Sequence, residues 1–194
     1  MPAHIEIEFK TMLTEDEFHR LLKQLPFPER PVVQTNHYFE TDDFQLKENG
    51  CALRIRKKRG QFILTLKEPH DEGLLETNEP LSKETADRWL EGNPTTTDFV
   101  SKRLKRLGIK EDALRHVGSL VTERYTFEEN GIHYMLDKSL YHGVVDYELE
   151  VEAPSTEAGM NALKRVLAEN GIEERKAPPK IARFFQQKAK LKNE

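Results

Sequence analysis

A chain of 194 residues is long enough to bury a core as a single domain, and 33% charged against 37% hydrophobic residues places it at the polar end of globular sequences, short of disorder. A formal charge of −4 argues against general attraction to nucleic-acid phosphate, and no apolar run approaches the ~20 residues of a membrane span. The acidic N-terminus lacks a signal-peptide pattern, and the single cysteine, Cys51, excludes an internal disulfide and a cysteine-based metal cluster, so the expectation is a cytoplasmic protein with no nucleic-acid or membrane partner.

In chain order, the period-two alternation predicts strands over 5–13, 32–40, 52–58, 61–67, 74–81, 117–127, 132–141 and 144–153. Arg59-Gly60, Asn130-Gly131 and His142-Gly143 are hairpin turn signals, so the sheet is expected to be largely antiparallel. Thr14 and Glu17 form a capping-box pattern ahead of Phe18, Leu21, Leu22 and Leu25, which share a helical face. A middle helical region is expected over 83–114, interrupted near Gly92-Asn93-Pro94 and Gly108. Residues 156–170 predict a helix with Met160, Leu163, Val166 and Leu167 on one face and Gly171 as its cap, and a last helix after Pro178-Pro179 carries Ile181, Phe184 and Phe185. Antiparallel strands with helices between them can make an open sheet, a sandwich or a closed barrel.

Residues two apart share a strand face. One face then carries Glu6, Glu8 and Lys10; Arg54 and Arg56; Thr65 and Lys67; Glu76; Arg124; Asp137; and Glu148, Glu150 and Glu152. The other carries Ile5, Ile7 and Phe9; Leu53 and Ile55; Phe62, Leu64 and Leu66; and Tyr147, Leu149 and Val151, a surface large enough to need helices over it. A solvated face would mix its charges, whereas here single strands hold one sign. Clustered carboxylates suit Mg²⁺ or Mn²⁺, and rows of arginine match phosphate oxygens with forked donors. Together they suit a metal-bound polyphosphate, lining a closed barrel or the concave side of a curled sheet.

Other chemistries have less support. The chain contains no Gly-x4-Gly-Lys-Ser/Thr loop, no Gly-x-Gly-x-x-Gly after a strand and no Gly-x-Ser-x-Gly elbow. The seven histidines lack metal-site spacing and read as structural or surface groups, Trp89 reads as packing, and the basic run 54–59 divides between two strand faces.

The ordered series Glu6-Ile7-Glu8-Phe9-Lys10, Tyr38-Phe39, Leu53-Arg54-Ile55-Arg56, Leu64-Thr65-Leu66-Lys67-Glu68-Pro69, Glu123-Arg124, Leu136-Asp137, Glu148-Leu149-Glu150 after Gly143, and Pro179-Lys180-Ile181 resembles the CYTH domain, or triphosphate tunnel metalloenzyme, family. The resemblance covers essentially the whole chain and implies one domain over 1–194. It implies an α+β fold: an eight-stranded antiparallel closed β-barrel forming a tunnel, helices packed outside, and a C-terminal helix closing one end. Glu6, Glu8, Glu148 and Glu150 would be catalytic and hold Mg²⁺ or Mn²⁺, with Asp137 and Glu152 as weaker ligands. Lys10, Arg54, Arg56, Lys67, Arg124 and Lys180 would bind phosphate, Lys180 from the closed end with Arg183 assisting. Glu76 resembles the acidic position of the fifth strand, with Glu79 as the alternative. The implied reaction is metal-dependent hydrolysis of a triphosphate, inorganic tripolyphosphate first, then a thiamine or nucleoside triphosphate, then cyclisation of ATP. The rival from another class is a non-catalytic polyphosphate or nucleotide sensor.

Overall fold

In a computed structural model, residues 3–192 are described, and the chain divides into two compact units. The first combines the N-terminal segment through Glu6 with Gln34–Leu120, and the second combines Ile7–Val33 with the chain from Val121 onward. Among the described residues nine strands form: β1 Ala3–Glu6, β2 Glu8–Leu13, β3 Val32–Thr41, β4 Ala52–Lys58, β5 Gln61–His70, β6 Gly73–Leu81, β7 Leu114–Glu129, β8 Ile132–Tyr141 and β9 Val144–Glu152. Six helices accompany them: α1 Glu15–Gln24, α2 Gln45–Glu48, α3 Lys83–Leu90, α4 Val100–Arg106, α5 Thr156–Glu169 and α6 Lys180–Lys192, with a 3₁₀ turn at Glu111–Ala113. None of the described helices is long and apolar enough to cross a membrane.

In the first unit the strand order is β1-β6-β5-β4-β3, with β7 next to β3; in the second it is β7-β8-β9-β2. The ladders are antiparallel, and three hairpins close at the expected turns, where Arg59-Gly60, Asn130-Gly131 and His142-Gly143 all take positive φ as a tight hairpin requires. The expected closed eight-stranded barrel is corrected to a nine-stranded arrangement. The extra strand arises at Ile7, where the expected strand 5–13 divides: β1 pairs with β6 and β2 with β9, and each is an end of the strand order with a single partner. Gly73 makes the β1–β6 approach possible, since a Cβ there would lie 2.3 Å from the Glu6 carbonyl oxygen.

The expected middle helical region is shorter than its pattern. α3 ends at Leu90, α4 occupies only Val100–Arg106, and the chain is already strand at Leu114. α1 begins with both bonds of the capping box: the Glu17 N–H donates to Thr14 Oγ1 and the Thr14 N–H to Glu17 Oε2. In the first unit, Leu53, Ile55, Leu64 and Leu66 are fully buried beneath α3 and α4 with Trp89, Val100 and Leu104. In the second, Leu149, Val151, Leu136 and Tyr134 pack with Phe18 and Leu21 of α1 and Leu163 and Val166 of α5. Each such side chain contributes about 1.5–3 kcal/mol by leaving water. That burial fixes which face of every strand is left for the charges.

Candidate functional site

Along β9, alternation puts Asp146, Glu148 and Glu150 on the face opposite Leu149 and Val151. Ladder register then decides what stands beside them. Arg124 of β7 lies opposite Asp137 of β8, which lies opposite Glu148, while Lys10 of β2 lies opposite Glu150. Arg124 grips Asp137 with two parallel bonds, Nε to Oδ1 at 2.7 Å and Nη2 to Oδ2 at 2.6 Å, and also donates to Glu150. Asp137, Glu148 and Glu150 each offer an oxygen within 4.8 Å of the others, and all three are buried. Their common contact is Lys180 at the start of α6, whose Nζ lies 2.9 Å from Asp137 Oδ2, 2.8 Å from Glu150 Oε1 and also on Glu148 Oε1. Arg183, one turn on, pairs with Glu148 and lies 3.0 Å from Asp146 Oδ2, and Tyr141 donates to the same oxygen at 2.7 Å.

Burial and neighbouring charge set the ionisation of this cluster. Loss of solvent pushes the Glu148 carboxyl up to about 7 against the pull of Lys180. Burial acts on Glu150 in the same direction, but Lys180 and Arg124 outweigh it and hold that carboxyl well below its usual range. The pair therefore ionises in sequence, Glu150 first and Glu148 last. Burial alone would lower the Lys180 pKa, yet Asp137, Glu150 and Glu148 together raise it, so the ammonium stays charged.

The first unit carries a second charge cluster, of half-buried residues around the buried Glu76. Lys67 of β5 lies directly opposite Glu76 of β6, 3.1 Å from its Oε2, and also pairs with Glu6 of β1. Arg54 of β4 is 4.0 Å from the same Glu76 oxygen, and its buried Nε finds no hydrogen-bond partner among the described residues. Arg56, two residues on, donates from Nε to Asn36 Oδ1 at 3.0 Å, and Thr65 donates to Asn78 Oδ1 at 2.6 Å. Glu76 has its carboxyl held down at about 2: burial would raise it, but Arg54 and Lys67 outweigh burial.

Within the second unit the structure brings together Asp137, Glu148, Glu150, Lys10, Arg124 and Lys180, and within the first Glu6, Arg54, Arg56 and Lys67. Glu8 pairs with Lys10 at 2.8 Å. Glu152 lies across the ladder from Glu8, outside the Asp137–Glu148–Glu150 trio, and Asp137, expected as a weaker ligand, is central to it. Like-charged carboxylates this close repel, and Lys180, Arg183 and Arg124 offset that repulsion within the protein itself. The Glu76 or Glu79 alternative resolves to Glu76 on the charged face, because the Glu79 carboxylate accepts the N–H groups of Asp98, Phe99 and Val100 where α4 begins. Asp146 and Asn36 belong to these clusters and were missed, although Asp146 continues the alternation of Glu148 and Glu150 and was legible on that ground.

Comparison with known proteins identifies the family. The CYTH domain model matches residues 4–185. The Bacillus subtilis (strain 168) protein YjbK, described as a candidate triphosphatase, is 43% identical over 191 residues, covering 98% of this chain and 99% of its own. A Bacillus halodurans crystal structure, described as a candidate adenylate cyclase, superposes with a TM-score of 0.92 at 42% identity, over 95% of this chain and 100% of its own. A Hippeastrum protein described as a candidate adenylyl cyclase with a dominant triphosphatase activity superposes at 0.78 with 26% identity, over 94% and 96%. The chain belongs to the CYTH domain family.

Proposed function

We propose that this chain is a metal-dependent triphosphatase, acting first on inorganic tripolyphosphate and second on a thiamine or nucleoside triphosphate. The observation that carries the reading is the convergence of three buried carboxylates, Asp137, Glu148 and Glu150, on one point that a cation already occupies as the Lys180 ammonium. An all-oxygen donor set of this kind fits Mg²⁺ or Mn²⁺, with Glu8 and Glu152 of the same unit as further carboxylates of the same proposal. A divalent ion held there would offset charge on phosphate oxygens and lower the pKa of an attacking water.

The chain's own residues have the remaining tasks. Arg124 and Lys10 fix Asp137, Glu150 and Glu8 in place and keep cationic donors beside them. In the first unit, Arg54, Arg56 and Lys67 are the phosphate-binding groups: their forked and point-charge donors suit the bridging and terminal oxygens of a polyphosphate, and Arg54 Nε has hydrogen-bonding capacity to spare. Cations on the departing diphosphate stabilise the charge that develops as the bond breaks.

The test is release of orthophosphate from tripolyphosphate, thiamine triphosphate and ATP by purified protein, with Mg²⁺, with Mn²⁺ and with chelator. Metal-dependent orthophosphate that disappears in Glu148→Gln supports the reading. Pyrophosphate and cyclic nucleotide from ATP would instead favour the cyclase description carried by the Bacillus halodurans relative. Tight triphosphate binding without turnover would favour a sensor.

A further inference from the structure

His37 on β3 and His116 on β7, both in the first unit, converge on one hydroxyl. His37 Nδ1 lies 2.7 Å and His116 Nε2 lies 3.3 Å from Ser119 Oγ, with the ring centroids 5.6 Å apart. His116 and Ser119 are three apart on a strand, a spacing that ordinarily sends side chains to opposite faces. Gly118 between them adopts φ 140, which breaks the alternation and lets both side chains reach the same imidazole. The His116 ring also rests 5.6 Å from Phe39, which meets Trp89 edge-on in the core, so the imidazoles are backed by packed aromatic groups. In front they are open: His37 is half-buried, and His116 and Ser119 are exposed.

We propose that His37 and His116, with the Ser119 hydroxyl, form a binding site for a late first-row divalent ion, Zn²⁺ or Cu²⁺, chemically distinct from the all-oxygen trio of the second unit. Imidazole nitrogen suits zinc, copper and nickel, whereas Mg²⁺ and Mn²⁺ favour carboxylate and water oxygen. Burial, with His116 and Lys57 adding to it, lowers the His37 pKa, so the ring is neutral at neutral pH and keeps a nitrogen lone pair to donate. The Lys57 charge opposes any purely electrostatic attraction, so affinity rests on nitrogen coordination. Two imidazoles and one hydroxyl leave at least one position for water in a four-coordinate shell.

Full-length protein in a His4→Gln background, which removes the imidazole nearest the N-terminus, is titrated with Zn²⁺ by calorimetry in excess Mg²⁺. The same protein carrying Cu²⁺ is read by electron paramagnetic resonance. The expected result is one Zn²⁺ per chain, and for Cu²⁺ a nitrogen coupling pattern from two imidazoles. His116→Gln and His37→Gln should each weaken Zn²⁺ binding at least about tenfold, with loss of one nitrogen coupling, while Glu148→Gln leaves both readouts unchanged. His116 is exposed, so its variant is expected to fold, which circular dichroism checks. No stoichiometric Zn²⁺ on the parent protein, or undiminished affinity and nitrogen coupling in His116→Gln, would overturn the proposal.

Discussion

The two charge clusters, one half-buried and one with a fully buried carboxylate trio, use the same side-chain chemistry in opposite proportions. In the first unit Arg54, Arg56 and Lys67 face two carboxylates, Glu6 and Glu76, so cation is in excess and one guanidinium N–H is left over. In the second, Glu8, Asp137, Asp146, Glu148 and Glu150 face Lys10, Arg124, Lys180 and Arg183, so carboxylate is in excess although each member has a partner. A cluster with surplus cation is shaped to recruit anions, and one with surplus carboxylate to recruit cations. The difference also separates two meanings of a salt bridge. Lys67–Glu76 sits directly across a ladder and is part of the sheet, whereas Lys180 and Arg183 reach the carboxylates from the start of a helix, their backbone outside the strands.

The comparison breaks most visibly if the carboxylate-rich cluster is weakened. Glu148→Gln or Glu150→Gln should cut hydrolysis at least about a hundredfold and remove Mn²⁺ binding, measured by initial rates and calorimetry. Glu150→Gln should also unfold at lower temperature, because Lys180 and Arg124 hold that carboxyl ionised and would be left short of countercharge. Burial pushes the Glu148 carboxyl up to about 7, so making it neutral should cost less stability. Unchanged metal affinity in both variants would remove the trio from the site.

Lys180→Met sharpens the same contrast. Without the ammonium, three buried carboxylates lose their shared cation, and the metal-free protein should be destabilised by about 3 kcal/mol. Mn²⁺ should then restore the melting temperature, with a larger metal-induced rise in the variant than in the parent protein. A loss of stability that Mn²⁺ leaves untouched would show that Lys180 and the ion do not compete for one place.

Much of this was open to sequence reading, and the failures share a cause. β4 and the three hairpins were legible because alternation and turn chemistry are local: Arg59-Gly60 needs positive φ at both positions whatever lies around it. The division at Ile7 was not, since the alternation Ile5, Ile7, Phe9 runs through it unbroken and only the change of partner from β6 to β9 marks it. The sign of charge on each strand could be read, but which charges meet is a matter of register. Asp137 joins the buried trio because it stands opposite Glu148, and Glu76, not Glu79, meets Lys67 because those two stand opposite in the β5–β6 ladder. His37 and Ser119 are 82 positions apart, beyond any test of local histidine spacing.

A smaller effect distinguishes the cation-rich cluster by its response to acid. The Glu76 carboxyl sits at about 2 in the folded protein against an ordinary 4.5, with burial opposing and Arg54 and Lys67 lowering it. A depressed pKa contributes stability that is complete above the ordinary value and is lost as pH falls from about 4.5 toward 2. The full shift corresponds to about 3 kcal/mol, of which solvent screening of the partly exposed Arg54 and Lys67 leaves about 2 kcal/mol in the acid limb. Glu76→Gln should therefore flatten the fall of denaturant midpoint between those pH values while changing the region above pH 5 little in slope. A slope equal to that of the parent protein would mean that Glu76 is not held by Arg54 and Lys67.

The smallest expected effect tests whether the spare donors of the first unit serve a ligand. Arg54 and Arg56 alternate on one strand face, so both guanidinium groups point the same way with Thr65 and Lys67 of the neighbouring strand. A lysine at either position keeps the charge but loses the planar fork, and its single ammonium cannot reproduce paired bonds to phosphate oxygens. Stability should change little, since Arg54 is 4.0 Å from the Glu76 carboxylate oxygen and a lysine at either position keeps the positive charge. Affinity for tripolyphosphate should fall about fivefold to tenfold in each variant, a loss of about 1–1.4 kcal/mol. Calorimetry with Mg²⁺ withheld separates this from metal binding, because the loss must then appear without any metal in solution. Parent-like affinity in both lysine variants would mean that the forked donors face only water and each other, and that cation excess alone, without geometry, is what the first unit offers.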